Sequence, residues 1–384
     1  MKIAMLVPYF YPHTGGTEKY VRDLSLELSR KGHEVTIISN NLPRSKKAKP
    51  EEKIDGVTVK RLPAFNFFYL PISRAFKLKM VEGMDVVHTH GPAFSFTRSI
   101  PGNFKAAHIL TFHCDTIMFD KVKGIPVPKF FRKAFEFIMD LYIRMVIPRA
   151  DMIISTTETY ASTSPVLKDF PHKVVPIGIH HDKIDEVISK LKLAPEKKKS
   201  DQIIFLGRLA QNKGVDYLVK AMPKILKALP KTKLIICGEG EEKGHLVKLI
   251  RKLGIEKSIT FFGTLTFEQL VEFYYTSTVF AMPSISRLEA FGIVQLEAMA
   301  CSTPVVCSDI PGPNAVMEEG KSGLLAEPRN SEALADALIK ILSDPEKARE
   351  MGRYGRTLVE TKYNWDTIAD QIVEIYKEAI SKKK

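Results

Sequence analysis

Residues 1–40 read MKIAMLVPYF YPHTGGTEKY VRDLSLELSR KGHEVTIISN, and their order sets the fold class. Ile3–Val7 is an apolar run of strand length. Thr17–Arg30 places Tyr20, Val21, Leu24 and Leu28 at helical spacing, and Gly32 follows as a stop. Glu34–Ser39 returns to a strand-like run. Strand, amphipathic helix and strand make a βαβ unit, whose long crossover implies parallel pairing. The alternation continues outward through Val57–Leu62, Asp85–His88, Ala107–Phe112 and Met152–Thr156. It pauses over the proline-bearing stretch Pro171–Pro195 and the basic run Lys197-Lys198-Lys199. It resumes with strands Ile203–Gly207, Lys233–Cys237, Ile259–Phe262, Val279–Met282 and Pro304–Ser308, separated by helical segments. Helices at Ser331–Leu342 and Pro345–Ile380, the latter broken near Asn364-Trp365-Asp366, close the chain.

Two such series make the expected fold α/β, with two Rossmann-like, doubly wound domains facing a cleft. The expected boundaries are 1–176 with 364–384 for the first domain and 177–363 for the second. Length agrees, because 384 residues exceed the size at which one core stops growing. The four cysteines show no metal-ligand spacing, so Cys114, Cys237, Cys301 and Cys307 read as free thiols. No apolar run approaches membrane-spanning length, and the N-terminal run meets Pro8 without a cleavage site, so the expected location is cytoplasmic. A net charge of +13 biases the protein toward anionic partners. That charge is dispersed and no nucleic-acid-binding module is evident, which argues against nucleic acid.

Ligands of parallel sheets bind beyond the carboxyl ends of the strands. After the first strand, Gly15 and Gly16 precede a helix whose N-terminus can meet an anion. After the first strand of the second half come Gly207-Arg208 and Lys213-Gly214. An arginine fork and a lysine point charge suit a diphosphate in a site without metal. The richest stretch is Ser284-Ile285-Ser286-Arg287-Leu288-Glu289-Ala290-Phe291-Gly292-Ile293-Val294-Gln295-Leu296-Glu297. Backbone N–H groups of Phe291, Gly292 and Ile293 open a helix and can meet a phosphate, while Glu289 and Glu297 can grip sugar hydroxyls to either side. Glu297 lies in an apolar run, where a charge needs a partner. Two sequence signals point elsewhere and are set aside. The His88-Thr89-His90 pair, with His108 nearby, could hint at a metal, but no ligand that completes a site is evident. Gly238-Glu239-Gly240-Glu241-Glu242-Lys243-Gly244 misses the dinucleotide-binding spacing.

Taken together, the chain resembles the family-4 glycosyltransferases of the GT-B fold over nearly its whole length. The resemblance is carried by Gly15-Gly16, Thr111-Phe112-His113, Gly207-Arg208 with Lys213-Gly214, the Glu289-to-Glu297 element and Tyr363-x-Trp365. It implies a retaining hexosyltransferase whose co-substrate is a UDP- or GDP-linked sugar, with no cofactor; the alternative reading is a non-catalytic two-domain sugar- or nucleotide-binding protein. It implies that Arg208 and Lys213 hold the diphosphate, Glu297 the ribose, Glu289 the donor sugar and His113 the reacting region, and that the last helix crosses back to the first domain. Two departures stand out: Ala290 follows Glu289 where glycine is frequent, and Pro176-Ile177-Gly178-Ile179-His180 replaces the family's Pro-Asn-Gly-Val-Asp. No DxD pair follows a strand, which fits a site needing no metal. Residues Val7–Val21 look closest to members that glycosylate phosphoinositol lipids, so a lipid or glycan acceptor is expected. Peripheral contact with an anionic membrane is expected too, through the basic, aromatic segments Phe65–Met80 and Phe130–Val146.

Overall fold

The computed structural model describes residues 1–41, 48–67, 70–72, 75–91, 96–118, 121–122, 125–194 and 201–383. The basic run at 197–199 lies outside them. The chain divides into two compact units, Met1–Ile177 with Trp365–Lys384, and Gly178–Asn364.

The first unit is built on one sheet. Its strands run in the order Lys173–Val174, Met152–Ser155, Ala107–Phe112, Val86–His90, Lys2–Val7, Glu34–Asn41, Val57–Pro63, Glu51–Ile54. Lys2–Val7 pairs in parallel with Glu34–Asn41 on one side and Val86–His90 on the other. Ile3–Val7 are wholly buried, because helices cover both faces of a parallel sheet, and this is why the run shows no polar alternation. One edge departs from the parallel expectation: Glu51–Ile54 is antiparallel to Val57–Pro63. The cause is Asp55-Gly56, whose φ angles of 51° and 86° make a tight hairpin turn of the kind that Asp-Gly pairs favour. Segment Phe65–Met80 is built from short elements. Phe65–Phe67 and Leu70–Ile72 form a short hairpin, a 3₁₀ turn follows at Leu78–Val81, and Phe68, Tyr69 and Arg74 lie outside the described residues.

Helix Gly16–Arg30 turns Tyr20, Val21, Leu24 and Leu28 into this unit. Against it lies the last helix, Trp365–Ser381, which buries Trp365, Ile368, Ile372 and Tyr376. Trp365 packs on Tyr20 with ring centroids 5.6 Å apart, and Lys31 pairs with Asp366 and Asp370 at 2.6 and 2.7 Å. The chain's end is thus part of the unit that holds its beginning.

The second unit has a fully parallel sheet in the order Ile259–Phe262, Lys233–Cys237, Gln202–Leu206, Val279–Met282, Val305–Ser308, Gly323–Ala326. The last strand is absent from the sequence reading because it begins with glycine, which reads as a loop residue. A Cβ at Gly323 would overlap the Val305 carbonyl, so the glycine marks close strand approach. Core residues Ile203, Phe205, Leu234, Ile236, Val279 and Val306 meet Leu218, Met222 and Leu338 from the flanking helices.

Each sheet is wound outward in both directions from its first strand. In the first unit the strand order reverses between Lys2–Val7 and Val86–His90, and in the second between Gln202–Leu206 and Val279–Met282. Those two points are where open α/β sheets leave a crevice for ligands.

Candidate functional site

At the second unit's reversal point, the loop after Gln202–Leu206 and the loop after Val279–Met282 are tied together. Gly214 adopts a left-handed φ of 63° and opens helix Val215–Ala228. A Cβ there would overlap the Pro283 carbonyl, so only glycine lets the two loops touch. The Ile285 amide completes the tie by donating to the Asn212 carbonyl at 2.9 Å. This contact sets the Lys213 ammonium in an ion pair with the Glu289 carboxylate, which also accepts from Ser284 at 3.5 Å. The pair is mostly shielded, with side-chain exposures of 26% for Lys213 and 13% for Glu289. Residues expected to serve diphosphate and sugar therefore neutralise each other in the free protein.

Arg208 takes a different partner. Its guanidinium reaches Glu241 at 3.0 Å, with both side chains exposed, so the pairing costs little to exchange. Glycines hold this loop too. A Cβ at Gly238 would overlap the Gly207 carbonyl, and one at Gly240 the backbone of Leu209. The glycine-rich stretch Gly238–Gly244 is thus a backbone splice, bonded from Leu209 to Glu239 at 2.9 Å and from Glu242 to Leu209 at 3.0 Å.

Gly292, with φ at 83°, precedes helix Ile293–Ala300, whose N-terminus no side chain caps. The Phe291 ring meets Tyr363 edge-on at 6.1 Å. One turn into the helix, Glu297 is buried, with the Tyr274 hydroxyl 3.4 Å from its carboxylate. Burial, reinforced by that carboxylate, pushes the Tyr274 phenol well above its usual range and keeps it a donor. Sequence reasoning missed Tyr274. The only signal was that a buried glutamate requires a donor.

In the first unit, Gly15 is the N-cap of helix Gly16–Arg30, with an extended φ of −168°. A Cβ there would touch the Glu18 carboxylate, the flexible end of a side chain that can move aside, so Gly15 gives that carboxyl its present place without being required by the backbone. Glu18 folds back onto its own backbone N–H, so a carboxyl group already covers part of the helix end that Gly15 and Gly16 open. Burial raises its pKa to about 7, and the imidazole of His13 stands 3.9 Å away.

His113 follows strand Ala107–Phe112 and sits in a buried histidine row. His113 Nε2 shares a hydrogen bond with His90 Nδ1 at 3.3 Å. His88 Nδ1 bonds the Tyr376 hydroxyl and its Nε2 the Thr111 hydroxyl, each at 2.7 Å. Burial depresses the pKa of His113 to about 3 and drives His88 and His90 well down, so the row is uncharged at neutral pH. Beyond His113, the Asp115 carboxylate accepts from Tyr160 at 2.9 Å and from Ser164. This clamp fixes the strand exit and was invisible in the sequence, since Tyr160 and Ser164 lie far along the chain. Among the described residues, no group of three or more His, Cys, Asp or Glu is disposed to hold a metal.

Comparison with known proteins completes the picture. Residues 14–183 match Glycosyltransferase Family 4, and residues 189–358 match Glycosyl transferases group 1. An uncharacterized glycosyltransferase of Methanocaldococcus jannaschii is 29% identical over 99% of each chain. A D-inositol 3-phosphate glycosyltransferase of Corynebacterium urealyticum is 37% identical over 45% of this chain and 42% of its own. Among solved structures, sucrose-phosphate synthase from Thermosynechococcus elongatus superposes with a TM-score of 0.79 at 24% identity, covering 99% of both chains. Anabaena HepE, solved with UDP and with UDP-glucose, gives 0.74 and 0.73 at 20% identity, covering 98% of this chain and all of its own.

Proposed function

Because this chain belongs to the family-4 glycosyltransferases and has the GT-B fold, we propose that it moves a hexose from a UDP- or GDP-linked sugar to a hydroxyl of a lipid or glycan. The observation that carries this reading is the Lys213–Glu289 pair at the second unit's strand reversal. A diphosphate entering there offers Lys213 a stronger anion than a carboxylate, and Arg208 can leave its exposed partner to join it. Glu289, once released, becomes an acceptor free to hold donor-sugar hydroxyls. The uncapped N-terminus at Phe291, Gly292 and Ile293 adds dipoles aimed at the phosphate, and Glu297, with Tyr274 beside it, takes the ribose.

Transfer breaks the bond from the anomeric carbon to the diphosphate and forms one to the acceptor oxygen. The acceptor's proton passes to the departing phosphate, so charge balances without a protein base. With attack on the face the phosphate leaves, the anomeric configuration is retained. The cations at Arg208 and Lys213 supply the neutralisation that a metal gives elsewhere, which supports a metal-independent reaction. We assign Gly15 and Gly16 to substrate contact, and His113, neutral and held by His90, to hydrogen bonding in the reacting region. UDP found with HepE supports the donor class, and the inositol-phosphate relative supports a polyol acceptor.

The test is turnover on a panel of UDP- and GDP-hexoses with lipid and soluble polyol acceptors, read by nucleoside diphosphate release and by the anomeric NMR signal of the product. We expect one donor to be used with retention and EDTA to leave the rate unchanged. Inversion, or loss of activity restored by added divalent metal, contradicts the mechanism.

A further inference from the structure

Helix Lys129–Val146 carries most of the large apolar side chains left exposed among the described residues: Phe130, Phe131, Phe137, Ile138, Leu141 and Met145, at 52% to 76% exposure. At about 100° per residue these six positions fall within an arc of about 120°, a continuous stripe along the helix. Single exposed apolar residues are ordinary, but a contiguous patch marks a partner surface. The opposite side anchors the helix through buried Ile143 and Val146.

The helix's charges are sorted as well. Glu136 is engaged inward, accepting from the Met118 amide at 3.2 Å, and Asp140 is partly buried. Arg144 is held by Asp169 at 2.7 Å. Lys129 and Lys133 are exposed, and no ion pair among the described residues engages them. The outward face is therefore aromatic and aliphatic; Lys133 and Arg144 border it on one side, while Lys129 lies further round the helix, with Asp140 between the two lysines.

We propose that this stripe inserts into the interface of an anionic lipid bilayer, the helix lying in the membrane plane with its apolar side chains among the acyl chains and Lys129 and Lys133 on lipid phosphates. The proposal deepens the lipid-acceptor reading and rests on it for its purpose. Lying on the membrane fits better than crossing it, because no helix among the described residues is long and apolar enough to span. A second copy of the chain is the competing occupant; only a two-fold contact with the helices parallel sets the same cationic end against itself, and the wild-type oligomeric state decides between the two. The hydrogen bond from Met118 to Glu136 joins the helix to the segment leaving His113, so a lipid head group at the bilayer surface is delivered beside that segment.

The experiment uses the whole chain carrying Phe131→Trp, since the natural Trp365 is buried and gives a constant background. The proposal predicts a blue-shifted emission and co-sedimentation with phosphatidylcholine vesicles containing phosphatidylglycerol, and much weaker binding to phosphatidylcholine alone. Phe137→Ser with Leu141→Ser is expected to cut vesicle partitioning by about tenfold or more, with an unchanged melting temperature and unchanged nucleotide binding. Lys129→Ala with Lys133→Ala is expected to remove the preference for anionic vesicles. No blue shift and no co-sedimentation overturns the proposal, as does a wild-type dimer that the serine variant converts to monomer. Should hexosyl transfer to a soluble polyol persist while vesicle binding fails, the membrane inference falls and the transferase reading stands.

Discussion

At Glu289 one carboxylate faces two tasks, and the free protein shows the first: it neutralises Lys213. Removing its charge separates the tasks. Glu289→Gln leaves Lys213 without a competing anion, so UDP or GDP should bind at least as tightly as before. Hexose transfer should fall by about a hundredfold or more, because the lost contact strengthens as positive charge develops on the sugar. Steady-state kinetics beside calorimetric titration checks this, and a variant that loses nucleotide binding but keeps its turnover contradicts the assignment. The neighbouring Glu297 differs in kind. It is buried beside a phenol that stays protonated, so it is a fixed acceptor where Glu289 is an exchangeable one.

The elements that position these residues depend on glycines at loop crossings. Gly214→Ala should cost about 2 kcal/mol or more, combining a left-handed φ with overlap on the Pro283 carbonyl, and should loosen Lys213 from Glu289. Gly244→Ala is the control: nothing lies within 4 Å of a Cβ there and the residue is helical, so a gain of about 0.5 kcal/mol is expected. Chemical denaturation compares the two, and equal effects would mean that the loop contact is not what holds Gly214. The βαβ alternation was legible because buried parallel strands are continuous apolar runs, as Ile3–Val7 illustrates. Strand Gly323–Ala326 and the antiparallel edge Glu51–Ile54 were not. The first opens on a glycine that reads as a loop residue, and the second depends on a turn at Asp55-Gly56 that reads as an ordinary loop. Site residues could be listed by the rule that ligands bind after strands. Their partners could not, since Lys213 meets Glu289, and Asp115 meets Tyr160, only through sheet topology.

For the molecule, the buried histidines set a pH limit. His113 and His108 are depressed to about 3 and about 4 by burial, so the unfolded chain takes up their protons first as pH falls. Their contribution is complete above pH 6.5 and is lost as pH drops toward the folded values, about 2 kcal/mol from each by pH 5. His88 and His90 act in the same direction. Glu18, raised to about 7, acts oppositely: its contribution is full below pH 4.5 and is lost as pH rises through 7, so acidification from pH 7 to pH 5 returns about 2 kcal/mol. The histidines prevail together, and the first unit's calorimetric transition should move down between pH 7 and pH 5, further still in Glu18→Gln. A transition that moves up on acidification contradicts this balance. The central claim is that the second unit holds a nucleoside diphosphate on Lys213 and Arg208. Calorimetric titration of the whole chain with UDP and with GDP tests it most directly. Saturable binding of one nucleotide, weakened about tenfold or more in Lys213→Ala, is the predicted result; binding of neither, or equal affinity in the variant, would contradict it.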